Sequence, residues 1–168
     1  MGMSKRATSS VIGTMLMVTV AVILSAVIAG LVFGIVHKVK SPPQAKFVLD
    51  DAPSDINSNG GDLFIATLYG GDQLICKDIK FQVVNVSTGT AYELTWNDSL
   101  RCFVYHWNST QYDMYAYDDD IEDGMIGCGD EVKFNETVAL IRSGTTVELR
   151  VIHIPTNTII YIGEIIVE

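Results

Sequence analysis

Apolar residues are distributed along this chain in two unlike ways. From Ala7 to Val36 there is no charged residue, and Val11–Val36 is an almost unbroken apolar run. The run is apolar around its whole circumference, so as a helix it must be surrounded by lipid or by other helices. About 20 helical residues cross a bilayer's hydrocarbon core, and this run has length to spare. At Ser41-Pro42-Pro43-Gln44 two prolines end helical hydrogen bonding. Beyond them the period changes to short β-like runs separated by turn residues. The candidates are Lys46–Leu49, Leu63–Leu68, Asp78–Val86, Ala91–Trp96, Cys102–Trp107, Gln111–Tyr117, Glu131–Phe134, Thr146–Ile154 and Thr158–Val167. Alternation gives several of them a buried face: Ile79, Phe81 and Val83 against Lys80 and Gln82; Val147, Leu149 and Val151 against Glu148 and Arg150. Ser87-Thr88-Gly89-Thr90 and Pro155-Thr156-Asn157 read as hairpin turns, and Asn59-Gly60-Gly61-Asp62 and Gly70-Gly71-Asp72 as further turns. The expected fold is therefore α+β: a long N-terminal hydrophobic helix followed by an all-β antiparallel sandwich or barrel head.

Within the apolar run, small residues fall at helical spacing. Ala21, Ser25 and Ala29 form one ridge, and Ala26, Gly30 and Gly34 another; Gly13 is a further small position. Small ridges let helix backbones approach closely, although Gly and Ala are common in membrane helices in any case. A secretory signal peptide has a shorter apolar region, about 7–15 residues. A myristoylation signal needs Ser or Thr where this chain has Arg6.

Charge divides the chain at the same boundary. The net charge is −9, yet residues 1–40 carry Lys5, Arg6, Lys38 and Lys40 with no acid. The other 7 Lys/Arg face all 20 Asp/Glu in residues 41–168. That acidic part would repel phosphate backbones, which argues against nucleic-acid partners. Lysines flank both ends of the apolar run, so the positive-inside rule gives no orientation. Four of the seven asparagines, Asn85, Asn97, Asn108 and Asn135, lie in Asn-x-Ser/Thr sequons, which suits an exterior, glycosylated surface. Cys76, Cys102 and Cys128 also lie in this part, and one disulfide with a leftover thiol is expected outside the cell. Three pairings are open; Cys102–Cys128 would staple the segment between them.

Candidate chemistry is sparse. Asp113, Asp118, Asp119, Asp120, Glu122 and Asp123 cluster, and Asp118, Asp120 and Glu122 are the calcium candidates. The spacing departs from an EF-hand loop, which makes a solvated acidic loop the default. Tyr105, Trp107, Tyr112, Tyr115 and Tyr117 crowd the same region, as an adhesive surface or as strand residues packed inward. His37, His106 and His153 are scattered, and Cys102 and His106 lack a third ligand. There is no phosphate loop, no Gly-x-Ser-x-Gly elbow and no nucleophile with an evident base. Neither catalysis nor a cofactor is expected.

The stretch Lys5-Arg6-Ala7-Thr8-Ser9-Ser10-Val11-Ile12-Gly13-Thr14-Met15-Leu16-Met17-Val18 resembles the N-terminal segment of archaeal type IV pilins. That family has a short basic leader, a small residue at the cleavage point, a Ser-Pro-Val-Ile-Gly-Thr-like stretch and a long apolar helix. Ser10 stands where the family usually has proline, and Thr8 where an apolar residue is common. Gly70-Gly71-Asp72, Asp78-Ile79-Lys80-Phe81 and the Val147–Val167 hairpin look like the β domains of methanogen-type members. The resemblance implies a leader at 1–7 cut between Ala7 and Thr8 by a prepilin peptidase. It further implies a transmembrane and filament-core helix at 8–40, a proline linker at 41–45 and an extracellular β domain at 46–168. The implied protein is a membrane-held precursor that pilus assembly machinery polymerises through its N-terminal helices into an extracellular adhesive filament. The alternative is a membrane-anchored binding module, or a minor pilin outside the filament body.

Overall fold

The computed structural model describes residues 4–36, 41–52, 60–106, 112–118 and 124–168, and within the first stretch the side chains of 11–31. The chain forms two units, Met1–Lys40 and Ser41–Glu168. The first is a single helix, α1 (Ser4–Val36). It begins four residues before Thr8, so Ser4–Ala7 of the expected leader share its first turn.

The second unit is built from β1 (Ala45–Asp51), β2 (Gly61–Gly71), β3 (Leu74–Ile75), β4 (Ile79–Asn85), β5 (Thr90–Asn97), β6 (Cys102–Tyr105), β7 (Met114–Asp118), β8 (Met125–Ile126), β9 (Glu131–Glu136), β10 (Thr145–His153) and β11 (Thr158–Val167). Nine of these strands make one antiparallel sheet in the order β1-β2-β9-β7-β6-β5-β4-β10-β11, and β3 pairs with β8. The sheet curls until its two end strands run beside each other, giving a nearly closed barrel. No ladder crosses the β1–β11 seam. It is bridged by the Phe47 and Tyr161 rings, edge to face at 5.2 Å, and by the Glu168 N–H donating to Asp51 Oδ1 at 3.4 Å. Curling in this way shields two long strand edges that would otherwise invite pairing with another chain.

Alternation explains which face turns inward. Ile79, Phe81 and Val83 of β4 are buried with Val147, Leu149 and Val151 of β10, while Lys80, Gln82 and Arg150 point outward. The barrel's centre is a chain of rings. Phe64 stacks on Phe134 at 4.5 Å, Phe134 meets Phe81 at 5.2 Å, Phe81 meets Phe103 at 4.6 Å, and Phe103 meets Trp96 at 5.1 Å. Edge-to-face and offset contacts of this kind add to what area burial alone supplies.

The nine sheet strands coincide with the nine β-like runs expected from the sequence, with shifted ends: β6 stops at Tyr105 and β7 starts at Met114. The β3–β8 pair is additional. It closes one end of the barrel with Leu74, Cys76 and Ile126, all buried. The other end is closed by the loop 137–144, which inserts Ile141 into the core.

The chain enters the barrel through a reciprocal clamp. The Asp72 N–H donates to the Gln44 carbonyl at 2.7 Å, and the Gln44 N–H donates to Asp72 Oδ2 at 3.0 Å. Gly71 makes this approach possible: its φ is +115°, and a Cβ there would overlap the Gln44 carbonyl. Gly71→Ala is therefore expected to cost about 2 kcal/mol or more, read as a lower unfolding temperature. Gly70→Ala, at a position open on all sides, is the matched control and should change stability by less than about 0.5 kcal/mol. Equal effects of the two would show that the clamp does not constrain residue 71.

Candidate functional site

The most distinctive surface of the molecule is α1. Every described side chain from Val11 to Leu31 is exposed, including thirteen large apolar ones from Val11 to Leu31 itself. Keeping each of these from water is worth about 1.5–3 kcal/mol, so wetting the whole set would cost on the order of 20 kcal/mol or more. Val11–Leu31 is long and apolar enough to cross a membrane.

The described hydroxyls on this helix bond its own backbone. Thr14 Oγ1 donates to the Val11 carbonyl at 2.9 Å, Thr19 Oγ1 to Met15 at 2.8 Å and Ser25 Oγ to Ala21 at 2.8 Å. In an environment without water these bonds remove the penalty of a bare hydroxyl. Ser25 thus enters its ridge as a small residue whose proton is already used.

The two small ridges lie on different faces. At 100° per residue, Ala21, Ser25 and Ala29 are centred about 140° away from Ala26, Gly30 and Gly34. Gly13 and Gly30 have no neighbouring atoms where a Cβ would stand. The helix therefore offers two separate grooves for close approach. The Ala7–Thr8 bond sits in its first turn. Lys5 and Arg6 precede that bond, next to the positive end of the helix dipole, where basic charge is unfavourable. Helix stability does not account for these two residues.

The barrel distributes the other sequence candidates widely. Cys76 is buried between β3 and β4, Cys102 opens β6, and Cys128 lies in the turn before β9 with its Sγ 3.2 Å from the Tyr69 carbonyl. Cys76 is buried, Cys102 half-buried and Cys128 exposed, and no disulfide joins any two of them in this structure. Burial raises the Cys102 thiol pKa, which lowers its reactivity.

Sequon asparagines occupy contrasting environments. Asn85 is 6 % exposed, and its Oδ1 accepts from the Ser87 and Thr88 N–H groups in the β4–β5 turn. Asn135 is 4 % exposed in the middle strands of the sheet. Asn97 is half-buried, with Oδ1 accepting from the Ser99 and Leu100 N–H groups. Asn108 lies outside the described residues.

Asp118 ends β7, and Asp113 is buried just before that strand. Asp119, Asp120, Glu122 and Asp123 lie outside the described residues, and among those described no three acidic, His or Cys side chains gather as a metal site. Tyr115 and Tyr117 stack at 5.9 Å on the outward face of β7, and Tyr105 packs edge-on against the buried Tyr92 at 5.4 Å. The crowded aromatics thus divide between surface and core; Tyr112 is exposed, and Trp107 lies outside the described residues. His153 is buried with Nδ1 2.7 Å from Thr156 Oγ1, and His106 lies 4.9 Å from the Tyr112 ring.

Sequence reasoning missed Glu136. It is 4 % exposed and shares the inward face of β9 with Val132 and Phe134. Burial raises its pKa from 4.5 to about 7, against the lowering effect of the Ile141 and Leu140 N–H groups it accepts from. The signal was present in the alternation: Val132, Phe134 and Glu136 are successive inward positions.

No curated protein matches the chain. Residues 6–47, covering the helix, the proline exit and the first residues of β1, match the family model described as archaeal type IV pilin, N-terminal, and this match together with the apolar helix fits a pilin subunit.

Proposed function

We propose that this protein is a structural subunit of an archaeal type IV pilus-like surface filament, polymerising through α1. The observation that carries the reading is a helix of 33 residues whose described side chains, from Val11 to Leu31, are all exposed and apolar around the circumference. At 1.5 Å per residue such a helix is about 50 Å long, longer than the roughly 30 Å hydrocarbon core. The precursor holds it in the membrane. Leaving lipid is prohibitive unless an equally apolar environment receives the helix, and a bundle of identical helices supplies one. Two small-residue ridges on separate faces suit a subunit with different neighbours on two sides. A head-to-tail contact that does not close into a ring generates an open helical polymer.

Processing fits the same scheme. Cutting between Ala7 and Thr8 removes Lys5 and Arg6 from the unfavourable end of the helix dipole. It leaves Thr8, Ser9 and Ser10, whose hydroxyls are good acceptors for free N–H groups at a helix start. A prepilin peptidase is the corresponding partner on the cytoplasmic side, pilus assembly machinery acts in the membrane, and the acidic barrel forms the outer sheath. Asn97 is the described sequon least enclosed by the fold, and we assign surface glycosylation there ahead of Asn85 and Asn135.

Mass spectrometry of the native protein tests the reading. A mature chain beginning at Thr8, recovered in sheared surface filaments, is the expected result. An intact leader on protein found exclusively in membrane vesicles would instead identify a tethered module.

A further inference from the structure

We infer that residues 137–144 form a proton-controlled cap on the end of the barrel opposite residues 41–45, held shut by the neutral Glu136 side chain and loosened when it ionises. The inference goes beyond the filament reading and does not depend on it.

The cap is tied at both roots and hangs in its centre on one carboxyl group. The Thr137 N–H donates to the Asp113 carbonyl at 3.0 Å, Thr137 Oγ1 donates to the Tyr112 carbonyl, and the Gly144 N–H donates to the Val167 carbonyl at 2.7 Å. Between these roots, Glu136 Oε2 accepts from the Leu140 N–H at 3.0 Å and the Ile141 N–H at 3.1 Å. Those two bonds seat Ile141 in the core, with Leu140 packed beside it. Glu136 Oε1 is buried and has no hydrogen-bond partner.

The described residues around the carboxylate supply no counter-charge. On β5, Tyr92 senses its charge, and Tyr105 of β6 packs against Tyr92. On β7 the cross-strand neighbour is Met114, with Asp113 one residue earlier; on β2 it is Gly61. Within the cap, Arg142 is exposed. Among the described residues no lysine, arginine or histidine bonds Glu136. A neutral carboxyl still accepts both N–H groups through its carbonyl oxygen and leaves no charge to solvate. An ionised one must carry a buried charge with one oxygen bare, and it gains by reaching water.

The sign follows from the direction of the shift. The closed-state pKa of about 7 lies above the ordinary value of 4.5 that an open, solvated Glu136 regains. The cap is therefore tightest below pH 4.5 and loosens as pH rises towards 7. In that window opening grows about tenfold per pH unit, levelling off at about 300-fold overall.

The test is amide hydrogen exchange on the full chain in detergent micelles, corrected for the intrinsic pH dependence of exchange. Protection of the Leu140 and Ile141 amides should fall about 30-fold between pH 5.5 and 8.5, while the Leu149 amide in the sheet keeps its own. In Glu136→Gln, which retains an acceptor and cannot ionise, protection at 140 and 141 should be flat with pH. A flat profile in the native chain, or the same fall in Glu136→Gln, would overturn the proposal. Should that variant not fold, titrating the native chain with carboxyl-labelled glutamate decides instead: a Glu136 midpoint above about 6 supports the cap, and one at or below that value refutes it.

Discussion

Gly30→Leu is expected to leave the protein in the membrane and remove it from filaments, a loss of roughly tenfold or more in sheared surface material. Leucine is at home in lipid, so insertion of α1 is untouched or slightly favoured. What changes is the ridge formed by Ala26, Gly30 and Gly34, where a branched side chain would fill the groove that a neighbouring backbone needs. The environment of Gly30 within the chain offers no clash, so any loss must come from contacts between copies. Met17→Leu is the control, because position 17 already carries a large, exposed side chain. Filaments formed at normal yield by Gly30→Leu would show that this ridge is not a packing surface. Loss on Met17→Leu as well would show that the assay reads general damage to the helix.

Phe134→Ala should be the most damaging single change in the barrel. Phe134 is buried and touches both Phe64 and Phe81, so it joins two halves of the aromatic core. Truncating a buried phenylalanine costs about 3–5 kcal/mol, which in a domain of this size lowers the unfolding temperature by about 10–20 °C. Tyr117→Ala, on the outward face of a neighbouring strand, should cost far less. Circular dichroism melting of the two variants against the native protein makes the comparison. A Phe134→Ala melting point within about 3 °C of native would show that the core closes over the lost ring.

Much of the architecture could be read from the residues because one period governs each part. The change from a circumferential apolar run to alternation falls at Pro42-Pro43, and the β-like runs returned all nine strands of the main sheet. A long strand such as β10 displays five alternate positions, which defines its inward face. The two-residue strands β3 and β8 have no period to display. Their pairing depends on Leu74 and Ile126 being brought together from positions far apart in sequence. The ladder between β2 and β9 and the seam between β1 and β11 were hidden for the same reason, since local pattern carries no partner.

The site candidates divide along similar lines. Helix positions were legible because their neighbours are four residues away. The sequons were legible as triplets, yet the triplet does not reveal that Asn135 and Glu136 are buried. The three cysteines were legible as residues, but their spacing names no pairing. Glu136 was missed because a charged residue at the end of a strand reads as solvent-facing. Only the following loop, folding back through Leu140 and Ile141, makes that position interior.

The Gln44–Asp72 clamp has a mechanical consequence. A pull on residue 41 reaches the barrel at Gln44, one residue before β1, so the clamp stands ahead of the β1–β2 ladder. Before that ladder is strained, the force must part the two bonds at Asp72. The first point of yield under tension is therefore a surface turn, well away from the ring of phenylalanines.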